Sequence, residues 1–498
     1  MKRILIILPN NLGDVIMAIP VLYGLRRDDP QCHISFFVEN GFEGGLENLP
    51  VCDRIFRFHR KKYREYATVS SWRDGVKELL GAAHILRNEM FDLVINYAQH
   101  PYLSPFTSLI QSKISLGAIM SRDGCRAIDD LWSQYLYAIP FARKFNRLHA
   151  TDVYKRIAGI KGTVVSSIVV TESEKLAAVS FLKSQSIDSF EKLVFFQPGA
   201  AFKSKKWLPE HFIELGKMLI DDGYTICISG ALSESEIVNQ IDEGLQHGCI
   251  VLAGKLTFRE TLSALSLSRF LVTGDTALMH AAASLSVRTI ALFSSTNPVE
   301  TGPYGADHYI VCGKCEHRPC FKTECSMMTC MKRIPPRTIY ELIVHDQFKP
   351  SGDYDLYRTS INKNGDYELV CDTAAAIDYF TSDGAAITLK ALDPHDIYYR
   401  SAAISDRYRE ESLLVASYLD KMVRETDMYE LTGNPGALSN FEMIKQELTK
   451  VNEIGKWWFA LLNIRLNSIS LLDFGLAIRK SRDVCLMTKA EILNGIAQ

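Results

Sequence analysis

The sequence predicts two parallel α/β domains in tandem, followed by a C-terminal extension of α+β or helical character. Three observations carry this. Short runs that are apolar throughout, at 4–8 and 193–196 among others, fit strands buried on both faces of a parallel sheet. Further runs at 33–38, 93–96, 225–229, 270–273 and 289–293 alternate with stretches of helical period. The same opening, an apolar run ended by a Pro-containing turn and then a helix, occurs at residue 3 and again near residue 192.

The chain has 498 residues, 47% hydrophobic and 23% charged, with a formal net charge of −2. That length exceeds one core and suits two or three domains. The near-neutral balance gives no global attraction to nucleic acid. The apolar run after Met1-Lys2-Arg3 stops at Pro9, too short for a signal core, and no stretch suits a bilayer span. Of twelve cysteines, five fall between Cys312 and Cys330, a cluster that suits a metal site in a reducing compartment better than a disulfide framework. The expected location is the cytoplasm.

The boundaries follow from the restart. Residues 1–175 form the first domain, residues 176–345 the second, which carries the Cys-rich segment 312–330, and residues 346–498 the extension. A helix is expected over residues 14–27 and another over 209–222. In the extension, runs at 354–358 and 367–370 flank Asn364-Gly365, a hairpin-like turn, and helical stretches follow at 406–425 and 440–462.

Four turns carry candidate chemistry, because ligands of open α/β sheets bind beyond the carboxyl ends of the strands. Asn10-Asn11-Leu12-Gly13-Asp14-Val15 joins the first strand to its helix. Asp14 there is either an N-cap or a carboxylate at the floor of a cleft, able to accept a proton from an attacking hydroxyl. Pro198-Gly199 leads to Lys203-Ser204-Lys205-Lys206-Trp207, and a fixed ammonium suits a departing diphosphate unless the lysines are merely solvated. Glu234, beyond Ser229-Gly230, is a ribose-binding carboxylate or a first-turn helix glutamate. Gly274-Asp275-Thr276 opens a small-residue helix whose free amides suit phosphate, with His280 one turn along facing the same ligand or packed in the core. Thr301-Gly302-Pro303-Tyr304-Gly305 reads as a rigid turn bordering the nucleotide, with no role assigned.

Elsewhere, Cys312, Cys315, Cys320 and Cys330 are the candidate ligands of a structural zinc or iron, with Cys325 spare, or else the cluster is a set of reduced, partly buried thiols. The basic run Arg57-Phe58-His59-Arg60-Lys61-Lys62-Tyr63-Arg64 suits solvent, an anionic acceptor or a membrane surface. Trp457-Trp458 suits a buried core or a partner surface.

Taken in order, Leu12-Gly13-Asp14-Val15, Pro198-Gly199 with Lys205-Lys206-Trp207, Gly274-Asp275-Thr276 with Met279-His280, and Thr301-Gly302-Pro303-Tyr304-Gly305 make the chain resemble glycosyltransferase family 9, the heptosyltransferases, over about residues 1–340. The resemblance implies a GT-B fold, two Rossmann-like domains facing a central cleft, and inverting transfer of a sugar, a heptose from ADP-heptose, to an acceptor hydroxyl without catalytic metal. It implies Asp14 as general base, and Lys205, Glu234, Gly274, Asp275, Thr276 and His280 as donor-binding residues. The implied partners are a nucleotide-diphosphate sugar and a glycan, lipopolysaccharide-core, lipid-linked or protein acceptor; peripheral contact to the inner membrane is an option that the basic run leaves open. Ala277-Leu278 stands where the family often has Gly-Pro or Gly-Leu, which leaves a hexose or modified heptose open as donor. Two other readings are a GT-B sugar-nucleotide epimerase and a non-catalytic nucleotide-sugar-binding or assembly protein.

Overall fold

A computed structural model describes residues 1–60, 63, 72–122, 124–143, 146–347, 351–371, 406–432, 434–448, 462, 465–466 and 474–497. The first domain is a parallel five-stranded sheet of β1 (Arg3–Ile7), β2 (His33–Glu39), β3 (Arg54–Phe58), β4 (Leu93–Asn96) and β5 (Ile114–Gly117), in the order β3-β2-β1-β4-β5. β1 is central, and its isoleucines and leucines are buried on both faces, as its unbroken apolar run requires. A small ribbon, β6 (Ile119–Met120) and β7 (Arg126–Ala127), follows.

The single helix expected over residues 14–27 is two helices, Leu12–Met17 and Ile19–Asp28, meeting at Ala18. Pro20 is the cause, since it has no N–H to donate to the carbonyl of Ile16. The helix Pro209–Asp221 forms as expected, with proline at its first position.

The second sheet has eight strands. β8 (Leu193–Gln197), β9 (Thr225–Ile228), β10 (Ile250–Val251), β11 (Phe270–Gly274), β12 (Arg288–Phe293) and β13 (Tyr309–Gly313) run parallel, and β14 (Tyr354–Ile361) and β15 (Tyr367–Cys371) are antiparallel, in the order β10-β9-β8-β11-β12-β13-β14-β15. The hairpin read as part of the extension therefore completes the second domain's sheet, since β14 pairs directly with β13.

The domains meet along a continuous polar seam. Asn297 Nδ2 donates to the carbonyls of Arg143 (3.0 Å) and Asn146 (2.9 Å), and His149 Nε2 lies 2.9 Å from the carbonyl of Gly302. The turn of the β14–β15 hairpin joins in, where Arg156 holds Asp366 through two bonds of 2.9 and 3.0 Å. On the other side, Arg259 bridges Glu174, the carbonyl of Gly44 and that of Val169.

Helices Asp406–Thr432, Pro435–Leu448 and Phe474–Ala497 share a separate core that includes Leu419, Met422, Phe441 and Ile492. Buried Arg465 ties this bundle to the first domain through Gln134 (2.9 Å) and is itself held by Glu491. The second helix starts earlier than the expected 440–462, at Pro435, and residues 449–461 of that stretch, Trp457-Trp458 included, lie outside the described residues. No helix among the described residues is long and apolar enough to cross a membrane.

Candidate active site

The carboxyl ends of both sheets open onto one cleft of about 1270 Å³ between the domains. Asp14, Lys205, Glu234, Asp275, Thr276 and His280 all line it. Residues from four separate turns, more than 260 positions apart at the extremes, thus share one site, as the sequence motifs required.

Asp14 is not an N-cap. That position belongs to Asn11, and Asp14 stands three residues inside the helix, reaching back so that Asn11 N and Nδ2 both donate to its Oδ2 at 3.3 Å. Two long hydrogen bonds do not offset the loss of water. Burial pushes the carboxyl above the usual aspartate range, with Asn11 and the charge of Arg143 pulling the other way. A raised basicity suits a group that must take a proton.

The facing wall is the start of helix Ala277–Ser284. Thr276 caps it, accepting from Met279 N at 3.4 Å, and its hydroxyl lies 3.0 Å from that of Thr273. The two helix starts touch: a side chain on Gly13 would meet the His280 ring at 3.0 Å and Ala277 Cα at 3.8 Å. His280 is buried, its Nδ1 has no hydrogen-bond partner among the described residues, and burial holds it down to about 4, so the ring is neutral at physiological pH.

Lys205, on the short turn Lys203–Lys205, donates to Asp275 Oδ2 at 2.7 Å. Burial alone would raise the Asp275 carboxyl, but Lys205 and His280 leave it below its ordinary range and charged. Gly274 permits the approach, because the Lys205 carbonyl lies 2.5 Å from where its Cβ would stand. Glu234 accepts from Ala231 N (2.9 Å) and Gln197 Nε2 (3.2 Å). It fills the space over Gly199, where a Cβ would fall 1.8 Å from Glu234 Oε1.

This geometry supports proton removal at one wall and stabilisation of a departing anion at the other. A model of glycosyltransferase family 9 (heptosyltransferase) matches residues 82–331, half of the chain. The chain belongs to glycosyltransferase family 9. It is 25% identical over 309 residues to lipooligosaccharide heptosyltransferase 2 of Haemophilus influenzae, covering 60% of this chain and 86% of that protein. It is 26% identical over 333 residues to lipopolysaccharide heptosyltransferase 1 of Pseudomonas aeruginosa, covering 65% and 87%. The solved structure of ADP-heptose LPS heptosyltransferase II from E. coli superposes with a TM-score of 0.52 at 20% identity, over 70% of this chain and 99% of that one, which bears out the GT-B fold. The enzyme is a glycosyltransferase.

Two cleft residues of this glycosyltransferase had no sequence signal, Arg143 from the first domain and Glu300 from the second, nor had Asn146, which donates to Glu300. Glu300 precedes the Thr301–Gly305 turn, which composition marked as rigid and nothing more. Of the basic run, Arg57 pairs with Glu43 on the surface, whereas Arg60 lies 3.1 Å from His100 and lines the cleft; Lys61, Lys62 and Arg64 lie outside the described residues.

Of the four expected thiol ligands, Cys330 has Cys312 on one side and Cys315 and Cys320 on the other as electrostatic neighbours. Cys312 lies in β13 with its side chain among Met279, Ile310, Tyr357 and Tyr367, and burial pushes its thiol up to about 12. Burial raises the Cys330 thiol, and Cys315 and Cys320 raise it further. Among the described residues no three His, Cys, Asp or Glu side chains are arranged to hold an ion. The register of β13 against β12 places Cys312 in this buried cluster.

Proposed function

We propose that this family 9 enzyme transfers a heptose, with inversion, from ADP-heptose to a hydroxyl of a lipopolysaccharide-type saccharide acceptor at the cytoplasmic face of the inner membrane. The observation that carries this is the contact between the Asp14 turn and the start of helix Ala277–Ser284. It sets a basic carboxylate against a diphosphate-sized group of donors. The names of the relatives, heptosyltransferases acting in lipopolysaccharide assembly, supply the sugar and the acceptor class.

The acceptor hydroxyl loses its proton to Asp14 as its oxygen bonds to the anomeric carbon, and the bond from that carbon to the diphosphate oxygen breaks with its electron pair on the nucleotide. Lys205 and the free amides beyond Thr276 offset the charge that develops there. Glu234 and Gly199 form the pocket for the nucleoside, and Asp275, kept ionised by Lys205, accepts hydroxyls. The Cys-rich segment has no part in the reaction. Zinc or iron there would require Cys315, Cys320 and Cys330 to close around the ion.

The test is a screen of ADP-, UDP- and GDP-sugars with acceptor, comparing wild type with Asp14→Ala. Transfer from ADP-heptose that is lost in the variant, with ADP affinity retained, supports the reading. Undiminished turnover in Asp14→Ala removes it as the base, and turnover of a different donor overturns the heptose.

A further inference from the structure

Glu300 lies on the one-turn helix Pro298–Thr301, lines the cleft and is 6% exposed. An ionised carboxyl has about four acceptor positions, and a buried one must fill them or shed its charge. Its partners among the described residues fill few. Asn146 Nδ2 donates to Oε2 at 3.3 Å, and Arg143 Nη1 stands 3.6 Å from Oε1, an ion-pair distance beyond hydrogen-bonding range. Nor is Glu300 needed by its own helix, whose cap is Asn297, with Oδ1 accepting from Val299 N at 3.0 Å.

The cleft around it is rich in carboxylates. Burial pushes its carboxyl above the usual range, and the charges of Asp275 and Asp14 add to that against the pull of Arg143 and Asn146. A phosphate would be repelled from such a place. Sugar hydroxyls, which donate, would be held. The position is on the donor wall, since the next residue, Thr301, reaches Asp275 Oδ2 with its hydroxyl at 3.4 Å.

We infer that Glu300, held by Arg143 and Asn146, binds hydroxyls of the transferred sugar and sets which sugar the enzyme accepts. This rests on the donor reading above and adds to it. Arg143 and Asn146 belong to the first domain and Glu300 to the second, so the hydroxyls are read only where the two domains meet. Glu300 is a specificity residue and takes no proton from the acceptor.

The experiment measures binding by calorimetry, with ADP-heptose against ADP and UDP-glucose against UDP, for wild type, Glu300→Ala and Glu300→Gln. Glu300→Ala should weaken the nucleotide sugar by about ten-fold while leaving the free nucleotide unchanged, as expected for a lost charge-assisted hydrogen bond. Glu300→Gln, which keeps the shape and one acceptor oxygen, should lose less, and it carries the test should the alanine variant not fold. Equal losses for sugar nucleotide and free nucleotide, or none, would assign Glu300 to the domain seam and overturn the inference while leaving the donor reading intact. A wild-type enzyme that binds ADP and UDP but neither nucleotide sugar overturns both.

Discussion

The Lys155 ammonium donates to the carbonyl of Gly365 at 2.6 Å, joining the first domain to the turn of the β14–β15 hairpin. Lys155 and Asp152 are both buried, 3.0 Å apart, and the Tyr304 hydroxyl and Tyr367 N also bond Asp152 at 2.8 Å. Gly365 has φ +83°, and a Cβ there would fall 2.3 Å from the backbone of Gly162, so the turn is built to fit this one place. A buried pair contributes little over an apolar replacement, but removing one partner strands the other. Lys155→Met should therefore lower unfolding free energy by about 3–5 kcal/mol, measured by urea titration. The double variant Lys155→Met, Asp152→Asn should regain part of that loss. A single variant as stable as wild type would mean that the hairpin does not clamp the seam.

Asp14 must be ionised to take a proton, so the rate falls as pH drops through its pKa. Since burial raises that pKa, the acid limb of kcat/KM should lie above the ordinary aspartate range of about 3.9. Asn11 opposes the shift by donating to Oδ2. Asn11→Ala removes one such bond, so the acid limb should move to higher pH, with the plateau at alkaline pH falling less than ten-fold. A pH–rate profile of both proteins checks this, and a limb that stays or moves down would show that another group titrates.

Much of this was legible because β1, β8, β11 and β12 are buried on both faces and so are written as apolar runs. β3 and β5 escaped notice, since they lie at the sheet edges, where Arg54, Arg57 and Ser115 interrupt the pattern. β14 was visible as a strand, but its pairing with β13 is a non-local choice that no local pattern encodes. The site divides the same way. Asp14, Lys205, Glu234 and Asp275 stand on strand–helix turns that composition marks, whereas Asn146 and Glu300 are 154 positions apart and meet only through the fold.

At Cys312 thiol spacing and strand register point in different directions. Counting thiols places it first in a ligand set, but the register of β13 turns its side chain toward Tyr357 and Tyr367. Cys312→Ala should cost on the order of 1–2 kcal/mol from lost packing and leave the metal content of the purified protein unchanged. Thermal melting with inductively coupled plasma mass spectrometry reads both. A stoichiometric metal that disappears with this substitution would return Cys312 to the ligands.

Three histidines, His149, His280 and His308, are each held down to about 4 by burial. In the unfolded chain each titrates near 6.5, so between about 6.5 and 4 the unfolded state binds more protons than the native one. Stability from these groups is thus fully present above about pH 6.5 and is lost progressively as pH falls toward 4. His149 lies on the domain seam, its ring 4.9 Å from that of Tyr304 and 4.7 Å from that of Tyr367, and its Nε2 bonded to Gly302. Its protonation would place a charge among aromatic rings where no carboxylate bonds it directly. The urea midpoint should accordingly fall on acidification from about pH 7 to about pH 5, a window above the range of unperturbed carboxylates; Asp14 and Glu300, raised by burial, act in the opposite sense and make the fall smaller. A midpoint that is flat across that window would mean these imidazoles reach solvent, and the neutral His280 facing Gly13 would lose its support along with them.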